Sequence, residues 1–125
     1  MIAYVTMGTN DLPRAARFYD ELLALLNAKR VWEMDRSIGW STSVHAPAIS
    51  VIKPYDGAAA SVGNGYMVAL AASSKAQVDA LHRKAIELGA KDEGAAGPRG
   101  DHYYAGYFRD LDGNKVALFF ESEPG

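Results

Sequence analysis

Residues 109–120 read RDLDGNKVALFF, and a run of aromatic and small residues, YYAGYF, stands just before them at 103–108. The segment 110–113 (DLDG) predicts a tight hairpin turn between two strands, in which Gly113 supplies the positive φ. Side chains alternate between the two faces of a strand. The stretch therefore predicts a β-hairpin whose first strand carries Tyr103, Ala105, Tyr107 and Arg109 on one face.

Upstream of this hairpin, the pattern of elements is the same in both halves of the chain. Apolar residues at helical spacing between Leu12 and Leu26 predict one helix, and those between Val78 and Leu88 predict another. Residues 9–11 (TND) offer N-cap side chains to the first helix, and Ser74 with Gln77 predicts a capping box for the second. Strands are expected at 2–8, 30–34, 38–44, 48–53, 66–72, 103–108 and 115–120, and a short edge strand within 91–100.

The order is therefore β-α-β-β-β, a linker, and β-α-β-β-β again. When the two halves are aligned with Tyr4 opposite Met67, Asp11 aligns with Ser74, because each helix cap follows its strand position by seven residues. Such self-similarity indicates a pair of modules. We expect an α+β fold in a single domain, 1–125, with module one at about 1–54, a linker at 55–64 and module two at about 65–125.

Size and composition exclude several classes of function. The chain has 125 residues, a net charge of −2 and a pI of about 5.9, which makes nucleic acid a poor partner. It has no cysteine, so disulfides and thiolate chemistry are excluded. No apolar stretch approaches the length of a membrane span, and the N-terminus does not read as a signal peptide. We expect a cytoplasmic protein.

With these features, the chain resembles the glyoxalase / bleomycin-resistance / extradiol-dioxygenase (vicinal-oxygen-chelate) superfamily. The first strand with residues 10–12 (NDL), Phe18-Tyr19 in the first helix, and the turn 109–115 (RDLDGNK) carry the resemblance. It covers nearly the whole chain. It implies two βαβββ modules that form a cup-shaped mixed sheet with helices on the outside, often as a homodimer.

The resemblance also implies where metal ligands would stand, and the residues found there are not ligands. Metal-dependent relatives carry them on strands one, four, five and eight. Here the corresponding residues are Tyr4, Met67 and Ala117, with one of Val51, Ile52 and Lys53 on strand four. Thioether, methyl and alkyl groups do not suit the cations that such enzymes use. We therefore expect no metal and no cofactor.

Tyrosines and a few cationic or imidazole side chains are the remaining candidates for a site. Aromatic rings with hydroxyl tips suit a pocket for a planar or amphipathic ligand, although tyrosines also commonly fill half-buried sheets. Lys53 is a candidate for binding an anion, and His102 for a general base, although each also suits a solvated position. The expected ligand-binding residues are Tyr4, Trp40, Lys53, Met67, Tyr103 and Tyr107.

Three functions are compatible with these residues. The leading hypothesis is metal-independent binding of a small aromatic or carboxylate-bearing molecule. The second is a lyase, isomerase or dioxygenase-type enzyme, with a displaced metal or with His102 and a tyrosine as acid and base. The third is sequestration of a drug in a dimer groove, which the small net charge disfavours because electrostatic steering needs a stronger field.

Overall fold

The computed structural model describes residues 1–122 and divides into two compact units, Met1–Val62 and the part from Gly63 onwards. Each unit contains the element order β-α-β-β-β, which confirms the predicted α+β fold with two tandem βαβββ modules. Unit 1 consists of β1 (Tyr4–Gly8), α1 (Leu12–Ala24), β2 (Lys29–Glu33), β3 (Ser37–Ser41) and β4 (Ala48–Ile52).

Unit 2 repeats this order with its own sheet. It consists of β5 (Val68–Ala71), α2 (Lys75–Glu87), β6 (Lys91–Pro98), β7 (Tyr103–Arg109) and β8 (Lys115–Glu121). The strand orders are β1-β4-β3-β2 and β5-β8-β7-β6, and the first strand of each unit runs parallel to the last. Within residues 1–122, no helix is long and apolar enough to cross a membrane.

Both helices begin at the caps that the sequence predicts. The Asp11 carboxylate accepts a hydrogen bond from the Arg14 amide, and Ser74 Oγ accepts one from the Gln77 amide at 3.0 Å. Gln77 Oε1 accepts from the amide of Ser73 at 2.7 Å, one residue earlier than in the usual capping box. Each cap therefore satisfies one of the free amide groups at its helix start.

The turn at 110–113 is held by a single carboxylate. Asp110 Oδ1 accepts hydrogen bonds from the amides of Asp112 and Asn114, both at 2.9 Å, and Gly113 has a φ of +90°. The Tyr66 hydroxyl donates to Asn114 Oδ1, and burial, followed by the charge of Asp110, raises the pKa of Tyr66. The motif residues of segment 109–115, which carry the family resemblance, thus build the hairpin turn.

The strand β6 is longer than the short edge strand expected within 91–100. It spans Lys91–Pro98 and pairs with β7 through two irregularities in register, on either side of Gly94. A Cβ at Gly94 would lie 2.9 Å from Tyr107 Cδ2, so the glycine makes room for the tyrosine ring. Glycine therefore marks a close approach within a strand here, and does not end the strand.

Each sheet has one face covered by its own helix, and we call the other its helix-free face. In unit 1, α1 covers the face of Met7, Trp40 and Val51, which are at most 2% exposed. In unit 2, α2 covers the face of Phe108, Val116 and Leu118, which are fully buried. Strand alternation places the side chains that are available to a ligand on the helix-free faces.

Candidate functional site

The helix-free face of unit 1 is occupied by an aromatic pair. The ring of Trp32, on β2, meets the ring of Tyr4, on β1, edge to face at a centroid distance of 5.3 Å. Trp32 reaches inward because Gly39 on β3 has no side chain, and a Cβ there would lie 2.5 Å from the indole. Trp32 Nε1 donates to Ser37 Oγ at 3.1 Å. Tyr4 is 58% exposed, so this pair presents aromatic surface.

Trp40, which was expected to line the ligand pocket, lies instead beneath α1. It is 1% exposed, its Nε1 donates to Asp20 Oδ1 at 2.8 Å, and its ring packs near that of Tyr19. The residue shares its strand face with Ile38, which packs into the same core. Trp40 is therefore a core residue, and Trp32 is the tryptophan on the helix-free face.

Lys53 follows the last residue of β4 and is exposed. Its amide donates to the Arg36 carbonyl at 2.8 Å, so the two residues stand opposite one another at the end of the sheet. Lys53 and Arg36 line the same surface cavity of unit 1, together with residues 9, 10, 54, 55 and 57–59. By strand register, Lys53 belongs to the face of Val51 and not to that of Tyr4.

The helix-free face of unit 2 has Tyr107 between two cations. The Arg99 guanidinium carbon lies 5.5 Å from the ring centroid, and the Lys115 ammonium lies 5.6 Å from it. Arg99 is fixed by hydrogen bonds to three carbonyls of β6, those of Ala95, Gly97 and Pro98. The result is a tyrosine ring with positive charge at two places beside it.

Further along the same face, Tyr103 stacks on Phe119 with a centroid distance of 5.5 Å and an interplanar angle of 29°. Tyr103 is 47% exposed. Ala117 of β8 pairs with Tyr107 of β7. Met67 precedes β5, is 44% exposed, and by alternation lies on the same face as Ala69, which pairs with Ala117. The structure thus places Met67, Tyr103 and Tyr107 on one face, as strand alternation predicts.

His102 stands just before β7 and is exposed. Its carbonyl accepts hydrogen bonds from the amide and hydroxyl of Ser122. Within residues 1–122, its imidazole contacts no carboxylate that would orient it as a general base. The catalytic role of His102 stays a prediction.

The residues present do not fit the metal centre that the resemblance implies. In unit 1, Tyr4 offers a single phenol, Val51 is buried beneath α1, and Ile52 is aliphatic. In unit 2, Met67 and Ala117 offer a thioether and a methyl group. Among the described residues, no three His, Asp or Glu side chains lie together as a metal ion would require. We therefore derive no chemical step through a metal.

Two residues of these faces, Trp32 and Lys115, were missed by reasoning from sequence. Gly39 within a strand was the available signal for Trp32, since an interior strand glycine marks a close approach. Lys115 could have been found from alternation, because it has the parity of Ala117. Arg99 suits a carboxylate ligand by residue type alone, but its position beside the Tyr107 ring had no signal in the sequence, because it depends on how β6 pairs with β7.

Comparisons with known proteins agree with this fold. Residues 1–118 match the model of the family described as Glyoxalase/Bleomycin resistance protein/Dioxygenase superfamily. No functionally curated protein matches the sequence of this chain.

Similar solved structures include a glyoxalase/bleomycin resistance protein from Albidiferax ferrireducens T118. It is 32% identical, has a TM-score of 0.87, and the match covers 97% of this chain and 98% of that one. A glyoxalase-related enzyme from Fulvimarina pelagi is 20% identical, with a TM-score of 0.76 and coverage of 97% and 88%. A lactoylglutathione lyase from Agrobacterium tumefaciens is 18% identical, with a TM-score of 0.69 and coverage of 96% and 92%. The last two likenesses show the fold alone.

Proposed function

Starting from the fact that the chain belongs to the glyoxalase/bleomycin resistance protein/dioxygenase superfamily, we propose that it binds a small aromatic or carboxylate-bearing molecule without a metal. The binding surface is the helix-free face of unit 2. The observation that carries the proposal is Tyr107 with Arg99 and Lys115 beside its ring. The ligand is a small molecule, and a homodimer is the assembly that the family resemblance leads us to expect.

The two cations support a negatively charged group on the ligand. A guanidinium already held by three carbonyls loses little further freedom on binding, and charged donors make stronger hydrogen bonds to a carboxylate than neutral donors do. Arg109 is not equally available, because its Nε donates to Glu93 at 2.6 Å, and that bond lowers the pKa of Glu93. Arg99 and Lys115 are therefore the cations proposed to receive the ligand.

The aromatic side chains support a planar body. Tyr103 is already stacked on Phe119, and its 47% exposed fraction leaves ring surface for a ligand. Aromatic stacking stabilises a contact by about 0.5–1.5 kcal/mol beyond the burial of area. Met67 adds a flexible apolar contact of the kind that tolerates ligands of different shape. The face therefore combines stacking with charge recognition.

Titration calorimetry with benzoate and its neutral counterpart benzamide tests this proposal. We expect benzoate to bind saturably and more tightly than benzamide. The substitution Lys115→Met should weaken benzoate binding by about tenfold, which corresponds to about 1.4 kcal/mol.

The matched control is Lys75→Met. The Lys75 ammonium lies 5.9 Å from the Tyr104 ring, a similar cation–π geometry on the helix-covered side of the same sheet. The Lys75→Met variant should therefore bind benzoate as the unaltered protein does. Equal loss in the two variants, equal binding of benzoate and benzamide, or no binding of either compound would contradict the proposal.

A further inference from the structure

Unit 1 contains a surface cavity of about 440 Å³ at the end of its sheet. One wall is the segment that follows β4, and Asn10 holds that segment in place. Asn10 Oδ1 accepts from the Ala60 amide at 2.6 Å, and Asn10 Nδ2 donates to the Ala60 carbonyl at 3.3 Å. A side-chain amide thus pairs with the backbone as a neighbouring strand would. These two hydrogen bonds tie the segment that follows β4 to the residue just before α1.

Two cations meet in this cavity. The backbone bond from the Lys53 amide to the Arg36 carbonyl sets Lys53 and Arg36 opposite one another, and both residues line the space. Like charges that stand directly opposite on neighbouring strands destabilise a sheet. No acidic side chain is among the described residues that line the cavity, and Asp56 Oδ1 accepts from the Ala58 amide. Among the described residues, neither cation makes an ion pair with a carboxylate.

The guanidinium of Arg36 is already oriented. Its Nη2 donates to the carbonyls of Lys53 at 3.0 Å and Pro54 at 2.5 Å, and its carbon lies 5.4 Å from the Tyr55 ring centroid. Within residues 1–122, Arg36 Nε and Nη1 and the Lys53 ammonium make no hydrogen bond or ion pair. These donors suit an oxyanion, because a planar guanidinium and a point ammonium can bind different oxygens of one group.

We propose that this cavity binds the oxyanion group, phosphate or carboxylate, of a small molecule, with Arg36 and Lys53 as the charged donors. The space exceeds what a bare oxyanion fills, so an organic body can accompany the group, next to the 92% exposed Tyr55. The site lies wholly within unit 1 and does not depend on the function proposed for unit 2.

Calorimetric titration with inorganic phosphate and, separately, acetate, at constant ionic strength set with chloride, tests this inference. We expect saturable binding of at least one of the two ions. Tighter binding of phosphate identifies a phosphoryl group as the natural partner, and tighter binding of acetate identifies a carboxylate. The variant Lys53→Met should weaken the binding at least fivefold, and Arg36→Met should do the same.

Lys29→Met is the matched control, because Lys29 is an exposed lysine on β2 of the same unit and does not line the cavity. It should bind the ion as the unaltered protein does. Arg36 also donates hydrogen bonds to two backbone carbonyls, so circular dichroism must show that Arg36→Met keeps the fold before its affinity is compared. The Lys53→Met variant decides the question by itself. Absence of saturable binding, or equal affinity in Lys53→Met and Lys29→Met, would overturn the inference.

To separate this site from that of unit 2, the Lys115→Met variant is titrated with the same ion. We expect its affinity for phosphate, an ion that the function proposed for unit 2 does not invoke, to be unchanged. A loss in Lys115→Met with none in Lys53→Met would assign the ion to the helix-free face of unit 2 and overturn the cavity site. If benzoate did not bind, the site proposed in unit 2 would be contradicted, whereas saturable phosphate binding that is weakened in Lys53→Met would still support the cavity site.

Discussion

In each unit, an aromatic ring of one strand lies over a glycine of the neighbouring strand, but the edge strand supplies the ring in unit 1 and the glycine in unit 2. In unit 1, the ring of Trp32 on the edge strand β2 lies over Gly39 of the inner strand β3. In unit 2, the ring of Tyr107 on the inner strand β7 lies over Gly94 of the edge strand β6. Trp32 has neutral partners, the Tyr4 ring and the Ser37 hydroxyl, whereas Tyr107 has two cations. A shared topology therefore leaves the chemistry of the helix-free face open, and a few side chains decide it.

The units also differ in how a helix carboxylate is bound to the sheet. In unit 1, Asp20 accepts two hydrogen bonds from Arg30 and one from Trp40, and the bond to Arg30 is the main reason that the pKa of Asp20 is lowered. In unit 2, Asp79 accepts from the Tyr104 hydroxyl at 2.7 Å, which raises the pKa of Tyr104. One contact uses a permanent cation and the other uses a phenol that can lose its proton.

The largest expected effect distinguishes the two tryptophans of unit 1. Trp40→Ala should lower the free energy of unfolding by about 3–5 kcal/mol, because it empties a buried core position. Trp32→Ala should lower it by only about 1–2 kcal/mol, since the ring is half-buried and loses mainly one aromatic contact. Urea unfolding followed by far-UV circular dichroism measures both. Equal losses would contradict the assignment of Trp32 to the helix-free face.

A smaller loss of stability is expected when each of the two glycines is replaced by alanine. Gly39→Ala should cost about 1–3 kcal/mol of stability, because the new Cβ would lie 2.5 Å from the Trp32 indole. Gly94→Ala should cost less, since its Cβ would be 2.9 Å from the edge of the Tyr107 ring. Chemical denaturation gives both values.

In a Trp32→Ala background, Gly39→Ala should cost much less than in the unaltered protein, because the clash has been removed. The double-mutant cycle measures this coupling directly. A cost of Gly39→Ala that is independent of Trp32 would show that the backbone, and not the ring, requires glycine.

The smallest expected effects lie at opposite ends of the pH range. Because the folded-state pKa of Asp20 is lowered, its contribution is complete above its unfolded pKa of about 4 and is lost as the pH falls through the folded value. For this partly exposed pair we expect about 1 kcal/mol. Because the pKa of Tyr104 is raised, its contribution is complete below about pH 10 and is lost at higher pH.

Stability measured from pH 2 to pH 11 should therefore separate the two contacts. Asp20→Asn should reduce the acid-side loss of stability and leave the alkaline side unchanged. Tyr104→Phe should reduce the alkaline loss, part of which remains because the pKa of Tyr66 is also raised. If either variant changed the opposite end of the profile, the assignment of that contact would be wrong.

Local features of the chain were predicted where local physics decides them. Asp11 and Ser74 cap their helices because a short polar side chain can reach amides two or three residues ahead, whatever lies around it. The turn at Gly113 and the shared face of Tyr103 and Tyr107 follow equally from backbone geometry. The binding roles of these two tyrosines and of Met67 stay predictions.

The sequence by itself determined the two βαβββ modules with their caps and turns, since periodicity and short-range hydrogen bonds settle each of these. Only the tertiary structure decided which tryptophan is in the core, that Arg99 lies over Tyr107, and that Arg36 stands opposite Lys53. Those outcomes depend on contacts between residues on different strands and helices. Such contacts depend on strand register and on how side chains of different strands pack, which no local pattern records in full.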